Sequence, residues 1–148
     1  MTCFYALLNP ESGYLRFANA GHEPPFRQTA GCAAELWATG VPLGMMPGTC
    51  YEEYETTLEP GESLVFYSDG LVEAHNSRRE MFGFARLKSL LEEQSNGVSL
   101  IDTLLDELER FTGDEWEQED DVTLVALHRA VIRQVPHVLD FQEAETSG

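Results

Sequence analysis

The sequence is poor in basic residues, and this shortage excludes two classes of partner. Nine lysines and arginines stand against 26 aspartates and glutamates, so the formal net charge is −17. A charge of this sign repels phosphate backbones and anionic lipid surfaces. We therefore expect neither nucleic acid nor membrane as a partner. The same charge suits either a highly soluble surface or carboxylates gathered around a cation, and the total charge does not separate these interpretations.

Cysteines and long apolar runs are also scarce. The three cysteines, Cys3, Cys32 and Cys50, are odd in number and lack the paired spacing of a zinc site. Scattered single thiols are typical of a reducing, cytoplasmic setting. No apolar stretch approaches the roughly 20 residues that cross a bilayer. The N-terminus also lacks the basic and then apolar pattern of a secretory signal. We expect a soluble, cytoplasmic protein with one globular core.

Short apolar or alternating runs separated by turn residues predict strands in most of the chain, and two apolar stripes predict helices. The predicted strands are residues 3–8, 14–18, 25–29, 35–38, 51–58, 64–67 and 122–127. Residues 51–58 are expected to form a hairpin with residues 64–67 through Pro60-Gly61.

The predicted helices follow a polar loop at residues 75–80. One helix runs from Phe84 to about Gln94. A second helix begins at a capping box made by Ser99 and Asp102, and it ends at Gly113. The apolar side predicted for the second helix consists of Ile101, Leu104, Leu105, Leu108 and Phe111. Both apolar stripes are expected to make core contacts rather than partner sites.

Ser68-Asp69-Gly70 directly follows the most apolar short run of the chain, residues 64–67, which predicts a strand buried on both faces. A carboxylate at such a strand end is partly desolvated and needs a metal ion, hydrogen bonds or exposure at the sheet edge. Gly70 removes a side chain beside Asp69, so backbone or ligand can approach closely. Asp69 is thus a candidate metal ligand, and a simple turn cap is the alternative.

A second acidic feature precedes the last predicted strand. Residues 114–121 hold six acids in eight positions. An EF-hand Ca²⁺ loop is excluded in practice because Trp116 and Gln118 occupy ligand positions and the required glycine is absent. A solvated acidic loop remains one interpretation. In the other, Asp120 and Asp121 adjoin a buried strand as Asp69 does, and the two strand ends converge in space.

The motifs of the chain match one protein family in order and spacing. They are residues 17–25 (FANAGHEPP), 40–44 (GVPLG), 58–62 (LEPGE), 66–74 (FYSDGLVEA), 82–83 (FG) and 120–124 (DDVTL). Together they resemble the metal-dependent serine/threonine protein phosphatases of the PPM class, in the bacterial branch with the stage II sporulation phosphatase and the phosphatases that regulate stress sigma factors. The resemblance covers residues 2–128.

The resemblance implies an α+β fold, a sandwich of two antiparallel β-sheets flanked by helices, with Mn²⁺ or Mg²⁺ ions at the sheet ends. Asp69 matches the aspartate of the family's aspartate-glycine motif, which Gly70 completes. Asp120 matches the first residue of the final aspartate pair, so these two residues are the expected metal ligands. Asp121 is expected to have a supporting role. His22 matches an alanine-glycine-histidine turn and is expected to be architectural.

The family also has an earlier section, with a metal-bridging aspartate in a glycine-aspartate segment, that this sequence lacks. We therefore expect residues 1–130 to form the C-terminal portion of a phosphatase domain, inactive by itself, with residues 131–148 as an extension. The implied reaction is dephosphorylation of phosphoserine or phosphothreonine in a regulatory protein, by family expectation an anti-sigma-factor antagonist. The alternative is a non-catalytic regulatory or interaction module. Uncovered strands predict either a homodimer or pairing with the missing N-terminal section.

Overall fold

A computed structural model describes residues 1–94, 99–113 and 121–131 of the chain. In these residues, strands form two antiparallel sheets and helices cover one of them. The elements are β1 Cys3–Leu8, β2 Tyr14–Ala20, β3 Phe26–Thr29, β4 Cys32–Glu35, β5 Tyr54–Thr57, β6 Ser63–Tyr67, α1 Asp69–Val72, α2 Phe84–Glu93, α3 Leu100–Thr112 and β7 Leu124–His128. The predicted α+β sandwich of two antiparallel sheets flanked by helices is confirmed.

Strand β6 lies inside its sheet and is buried on both faces, as its unbroken apolar sequence predicts. The first sheet has the order β1-β2-β5, and the second has the order β4-β3-β6-β7. Leu64 of β6 packs between the two sheets, whereas Val65 and Tyr67 face the helices. All three side chains are at most 1% exposed. This strand therefore supports both cores, and its end is a firmly held position.

Two predicted strands differ from the observed ones. Strand β5 pairs with β2, not with β6, so the expected hairpin through Pro60-Gly61 is wrong and the chain crosses from one sheet to the other there. Leu58, which is 1% exposed between the sheets, anchors this crossing. The strand expected at residues 35–38 is β4, Cys32–Glu35, because Gly31 with φ 76° permits a tight turn directly after β3.

The apolar stripes of α2 and α3 pack on the second sheet, as expected. Leu87 and Leu91 of α2 are buried with Leu104 and Leu108 of α3. The predicted apolar side of α3 is wrong at one residue, since Leu105 is 40% exposed. No helix in the described ranges has the length and apolar content needed to span a membrane.

The local sequence predicts only part of how the backbone polar groups at the ends of these helices are capped. Ser99 is the N-cap of α3, but its side chain makes no capping hydrogen bond, so the expected capping box is wrong. Gly113 ends α3 with φ 79°, as expected. The C-terminal end of α2 is capped from a distance, because the buried Gln28 amide on β3 donates to the carbonyl oxygens of Leu91 and Gln94, both at 2.6 Å.

Leu104 and Leu105 provide a matched test of helix docking. Leu104→Ala should lower the free energy of unfolding by about 2–5 kcal/mol, because its fully buried side chain leaves a cavity. Leu105→Ala on the same helix should cost less than about 1 kcal/mol. Urea denaturation of both variants measures the difference, and equal losses would show that α3 is not docked as described.

Candidate functional site

Asp69 stands where β6 ends and α1 begins. Ser68 is the N-cap of α1, with an extended backbone, and Asp69 is the first helical residue. The Asp69 side chain is exposed, and its Oδ1 accepts a hydrogen bond from the Gly70 N–H at 3.0 Å. Gly70 is itself buried within α1. The firmly held strand thus presents a carboxylate at the surface, with a second oxygen available to a ligand.

Ser68 connects this point to the start of β7. Its N–H donates to the Thr123 carbonyl oxygen at 3.0 Å, and its Oγ donates to the Asp121 carbonyl oxygen at 2.9 Å. The Thr123 N–H in turn donates to Ser68 Oγ at 2.9 Å. These bonds bring the backbone of Asp121 beside that of Asp69, and the Asp121 side chain is exposed. Asp120 lies outside the described residues, so its role as a ligand stays a prediction.

Glu23 lies near Asp69, and further carboxylates lie near Glu23. Burial raises the pKa of Glu23, and the negative charges of Asp69, Glu73 and Glu35 raise it further, while His22 lowers it. The sequence-based interpretation did not single out Glu23, Glu35 or Glu73, because only the fold brings their segments together. This end of the second sheet therefore carries an excess of negative charge.

The Tyr67 hydroxyl lies close to this acidic region. Tyr67 is 1% exposed, and its hydroxyl has no hydrogen-bond partner within the described part of the chain. Burial raises the pKa of Tyr67, and the charges of Glu23 and Glu35 add to the effect. The hydroxyl therefore stays protonated and is a neutral polar group beside the carboxylates.

The donor atoms around Asp69 suit a hard divalent cation, but only in part. Carboxylate and carbonyl oxygens are the ligands that Mg²⁺ and Mn²⁺ prefer. Within residues 1–94, 99–113 and 121–131, however, no three histidine, cysteine, aspartate or glutamate side chains are arranged to hold a metal ion. The described residues therefore offer oxygen atoms of the right type at Asp69 but not a complete set of ligands.

His22 lies in a turn that is held by hydrogen bonds from the Asn19 side chain. Asn19 is 3% exposed, its Oδ1 accepts from the His22 N–H at 2.8 Å, and its Nδ2 donates to the His22 carbonyl oxygen at 2.8 Å. The His22 ring Nδ1 lies 3.4 Å from the Thr2 hydroxyl. The architectural role of His22 stays a prediction, and Asn19, three residues before it, is the side chain that holds its backbone.

In the described part of the chain, the two sheets are open along one side. Strands β1 and β7 are both edge strands, and clefts of about 330 Å³ and 680 Å³ lie between them at opposite ends. The smaller cleft is next to the candidate site, and it is lined by Thr2, Cys3, Phe4, His22, Phe66, Tyr67, Ser68, Thr123 and Val125. Tyr5, Leu7 and Val125 on the two edge strands are 57%, 45% and 53% exposed. Val125 pairs with Phe66, which packs between the sheets, so part of the described apolar interior is uncovered there. Tyr5 and Leu7 lie on the outer face of the first sheet, because Phe4, Ala6 and Leu8 face the core.

Comparisons with known proteins agree with this geometry. The family model described as Stage II sporulation protein E (SpoIIE) matches residues 1–130. The chain is 31% identical over 138 residues to the phosphoserine phosphatase RsbU of Bacillus subtilis, and the match covers 88% of this chain and 39% of RsbU. The chain therefore spans about two fifths of that relative.

Solved structures show the same fold. The RsbU and RsbW domains of Rv1364c from Mycobacterium tuberculosis superpose with a TM-score of 0.73 at 30% identity, over 87% of this chain and 36% of that one. The phosphatase domain of SpoIIE from Bacillus subtilis, presoaked with Mn, superposes with a TM-score of 0.68 at 20% identity, over 90% of this chain and 58% of that one.

The raised pKa of Glu23 predicts the pH dependence of stability. The folded state binds this proton more tightly than the unfolded chain, so the ionised Glu23 destabilises the fold as pH rises above its ordinary pKa of 4.5. In a metal-free buffer at pH 7, Glu23→Gln should raise the melting temperature by a few degrees. The gain should vanish below about pH 4. Glu109→Gln, at an exposed position of α3, is the control; an equal gain in both variants would contradict the assignment.

The open edges predict self-association of the isolated chain. Light scattering should give a mass above the 16.6 kDa of one chain, because unpaired strand edges and exposed apolar residues favour pairing. Val125→Lys on β7 should shift the chain toward monomer, whereas Leu105→Lys on α3 should not. A monodisperse wild-type monomer would contradict this expectation.

Proposed function

Because the chain belongs to the SpoIIE family of PP2C-type phosphatase domains, we propose that residues 1–130 are the C-terminal portion of a protein serine/threonine phosphatase domain, with residues 131–148 as an extension. The observation that carries the proposal is the set of hydrogen bonds from Ser68. They hold the backbone next to Asp69 beside that of Asp121, the second residue of the final aspartate pair, within a chain whose motifs match the family.

In this proposal, Asp69 and Asp120 hold Mn²⁺ or Mg²⁺, and Asp121 supports Asp120. When bound, such ions supply Lewis acidity that activates water and neutralises charge on the phosphoryl oxygens. The Ser68 hydrogen bonds keep the end of β6 beside the start of β7, which would hold Asp69 near the final aspartate pair. The Mn-presoaked SpoIIE phosphatase domain, which shares this fold, supports the choice of cation.

The described residues supply too few ligands for such a site. The described residues hold no set of three metal-ligating side chains, and the side of the sandwich between β1 and β7 is open. Both features support the proposal that a further section of the domain must pair with this chain and add a bridging carboxylate. Activity is therefore expected only for the completed domain.

The proposed substrate is a phosphoserine or phosphothreonine side chain of a bacterial regulatory protein. The relative RsbU is named a phosphoserine phosphatase, and the family resemblance extends this to an anti-sigma-factor antagonist as the phosphoprotein. The role would be signal transduction in the regulation of a sigma factor.

Joining this chain to the part of RsbU that precedes the matched region tests the proposal. The joined protein should release phosphate from a phosphoserine protein only when Mn²⁺ is present. Asp69→Asn should lower the rate by about 100-fold or more, because a metal ligand contributes several kcal/mol of charge stabilisation. Asp106→Asn, on the exposed side of α3, is the control. An inactive joined protein, or activity that Asp69→Asn leaves unchanged, would contradict the proposal.

A non-catalytic regulatory or interaction module is the second candidate. The incomplete ligand set within the described residues favours it. In that case the chain would bind a regulatory protein equally well with EDTA and with Mn²⁺, and the joined protein would release no phosphate. The two candidates therefore give opposite results in the same assay.

A further inference from the structure

Two adjacent arginines stand out in this acidic protein because no described residue pairs with their side chains. Every other described lysine or arginine is engaged by a carboxylate, a carbonyl oxygen or an aromatic ring. These pairs are Arg16 with Glu53, Arg27 with Glu62, Lys88 with Glu92, Arg110 with Glu107, Arg129 with the Leu58 and Glu11 carbonyls, and Arg86 with the Phe82 and Phe111 rings. Arg78 and Arg79 are exposed, and within the described chain their side chains make no such contact.

The loop that carries them is held in one conformation by Asn76. Asn76 Oδ1 accepts from the Arg78 N–H at 2.9 Å and from the Glu80 N–H at 3.0 Å, while its Nδ2 donates to Glu80 Oε2 at 2.7 Å. The Arg79 N–H donates to the Asn76 carbonyl oxygen at 2.9 Å. Arg79 is the non-glycine residue with positive φ, 63°, in the described chain. The backbone thus presents both guanidinium groups from a preorganised turn, which lowers the entropy cost of binding.

The loop is also fixed next to the candidate phosphatase site. The Phe82 N–H donates to the Ala74 carbonyl oxygen at 2.8 Å, and the Gly83 N–H donates to the Val72 carbonyl oxygen at 2.9 Å, so both stems attach to the end of α1. Asp69 begins the same helix. One helical turn and a few extended residues place Arg78 within about 25 Å of Asp69. A docked protein covers roughly 800 Å² of this chain, a patch about 32 Å across, so a partner whose contact extends from Asp69 toward the loop can reach both.

We propose that Arg78 and Arg79 dock an acidic segment of the phosphoprotein on which the Asp69 site acts. This inference rests on the proposed function. A phosphoprotein approaches a chain of net charge −17, and Glu23, Glu35 and Glu73 add negative charge near Asp69. Two unneutralised arginines beside this region give an anionic partner a point of attachment and an orientation. The guanidinium fork pairs with two anionic oxygens at once, from either a carboxylate or a phosphate.

Peptide binding without metal tests the docking directly. The probe is a fluorescein-labelled peptide with one phosphoserine among four glutamates, measured by fluorescence anisotropy in EDTA so that no turnover occurs. Arg78→Ala with Arg79→Ala should weaken binding about tenfold at low salt, and Arg78→Lys with Arg79→Lys should weaken it less. The matched control, Lys88→Ala with Arg110→Ala, removes the same charge from α2 and α3 and should leave binding within about twofold.

Three further results decide the outcome. Unchanged binding in the double alanine variant, an equal loss in the control, or no binding of the wild-type chain to the peptide would each overturn the proposal. A second peptide with serine in place of phosphoserine identifies the anion: equal arginine-dependent binding assigns the contact to carboxylates, and weaker binding assigns it to the phosphate. If carboxylates contribute, a phosphoserine peptide with glutamines in place of the four glutamates should bind more weakly than the original peptide.

Separate control experiments test whether the variants affect folding or catalysis. Arg79→Asn keeps a residue that tolerates positive φ, so it tests the loss of the side chain if the alanine variant melts at a lower temperature. In the joined protein, the double alanine variant should raise KM for the phosphoprotein without lowering kcat. Asp69→Asn should lower kcat and leave peptide binding in EDTA intact. An inactive joined protein would count against the proposed function alone, since the binding measurement does not depend on turnover.

Discussion

The hydrogen bonds of one serine side chain and its N–H organise the end of the second sheet. Ser68 follows β6 and bonds to Asp121 and Thr123 before β7. Strand ends that lie far apart in sequence can place carboxylates together only if the strands keep a fixed register. Strand β6 provides the fixed position because it is packed on both faces. The Ser68 hydrogen bonds then fix the residues before β7 relative to the end of β6. The approach of the Asp121 backbone to Asp69 depends on this connection.

Much of the architecture follows from local pattern, because a buried strand and two leucine stripes have clear signatures. Strand β6 and helices α2 and α3 could therefore be predicted from residues 64–67, 84–94 and 99–113. The partner of β5 could not. Its alternating sequence is equally suited to either sheet, and the choice depends on Leu58 entering the core between the sheets, a contact that no local pattern encodes.

The candidate site also combines residues that local sequence can predict with residues that only the fold brings together. Asp69 could be found because a carboxylate beyond an apolar run is locally unusual, and the family resemblance strengthened that interpretation. Glu23 and Glu73 could not be found, because they are ordinary surface residues until β3 and α1 bring them together. Asn19 and Ser68 carry no signal of their own, since small polar residues at turns are common and their value lies in the partners that the fold supplies.

The cap on α2 has a consequence for how the molecule comes apart. Gln28 belongs to β3, yet its amide closes the last turn of a helix more than 60 residues away in the chain. Fraying of that helix would leave a buried amide without partners, which is costly inside a protein. The helix end and the sheet should therefore open as one cooperative unit, with slow amide hydrogen exchange shared between them rather than a helix that melts first.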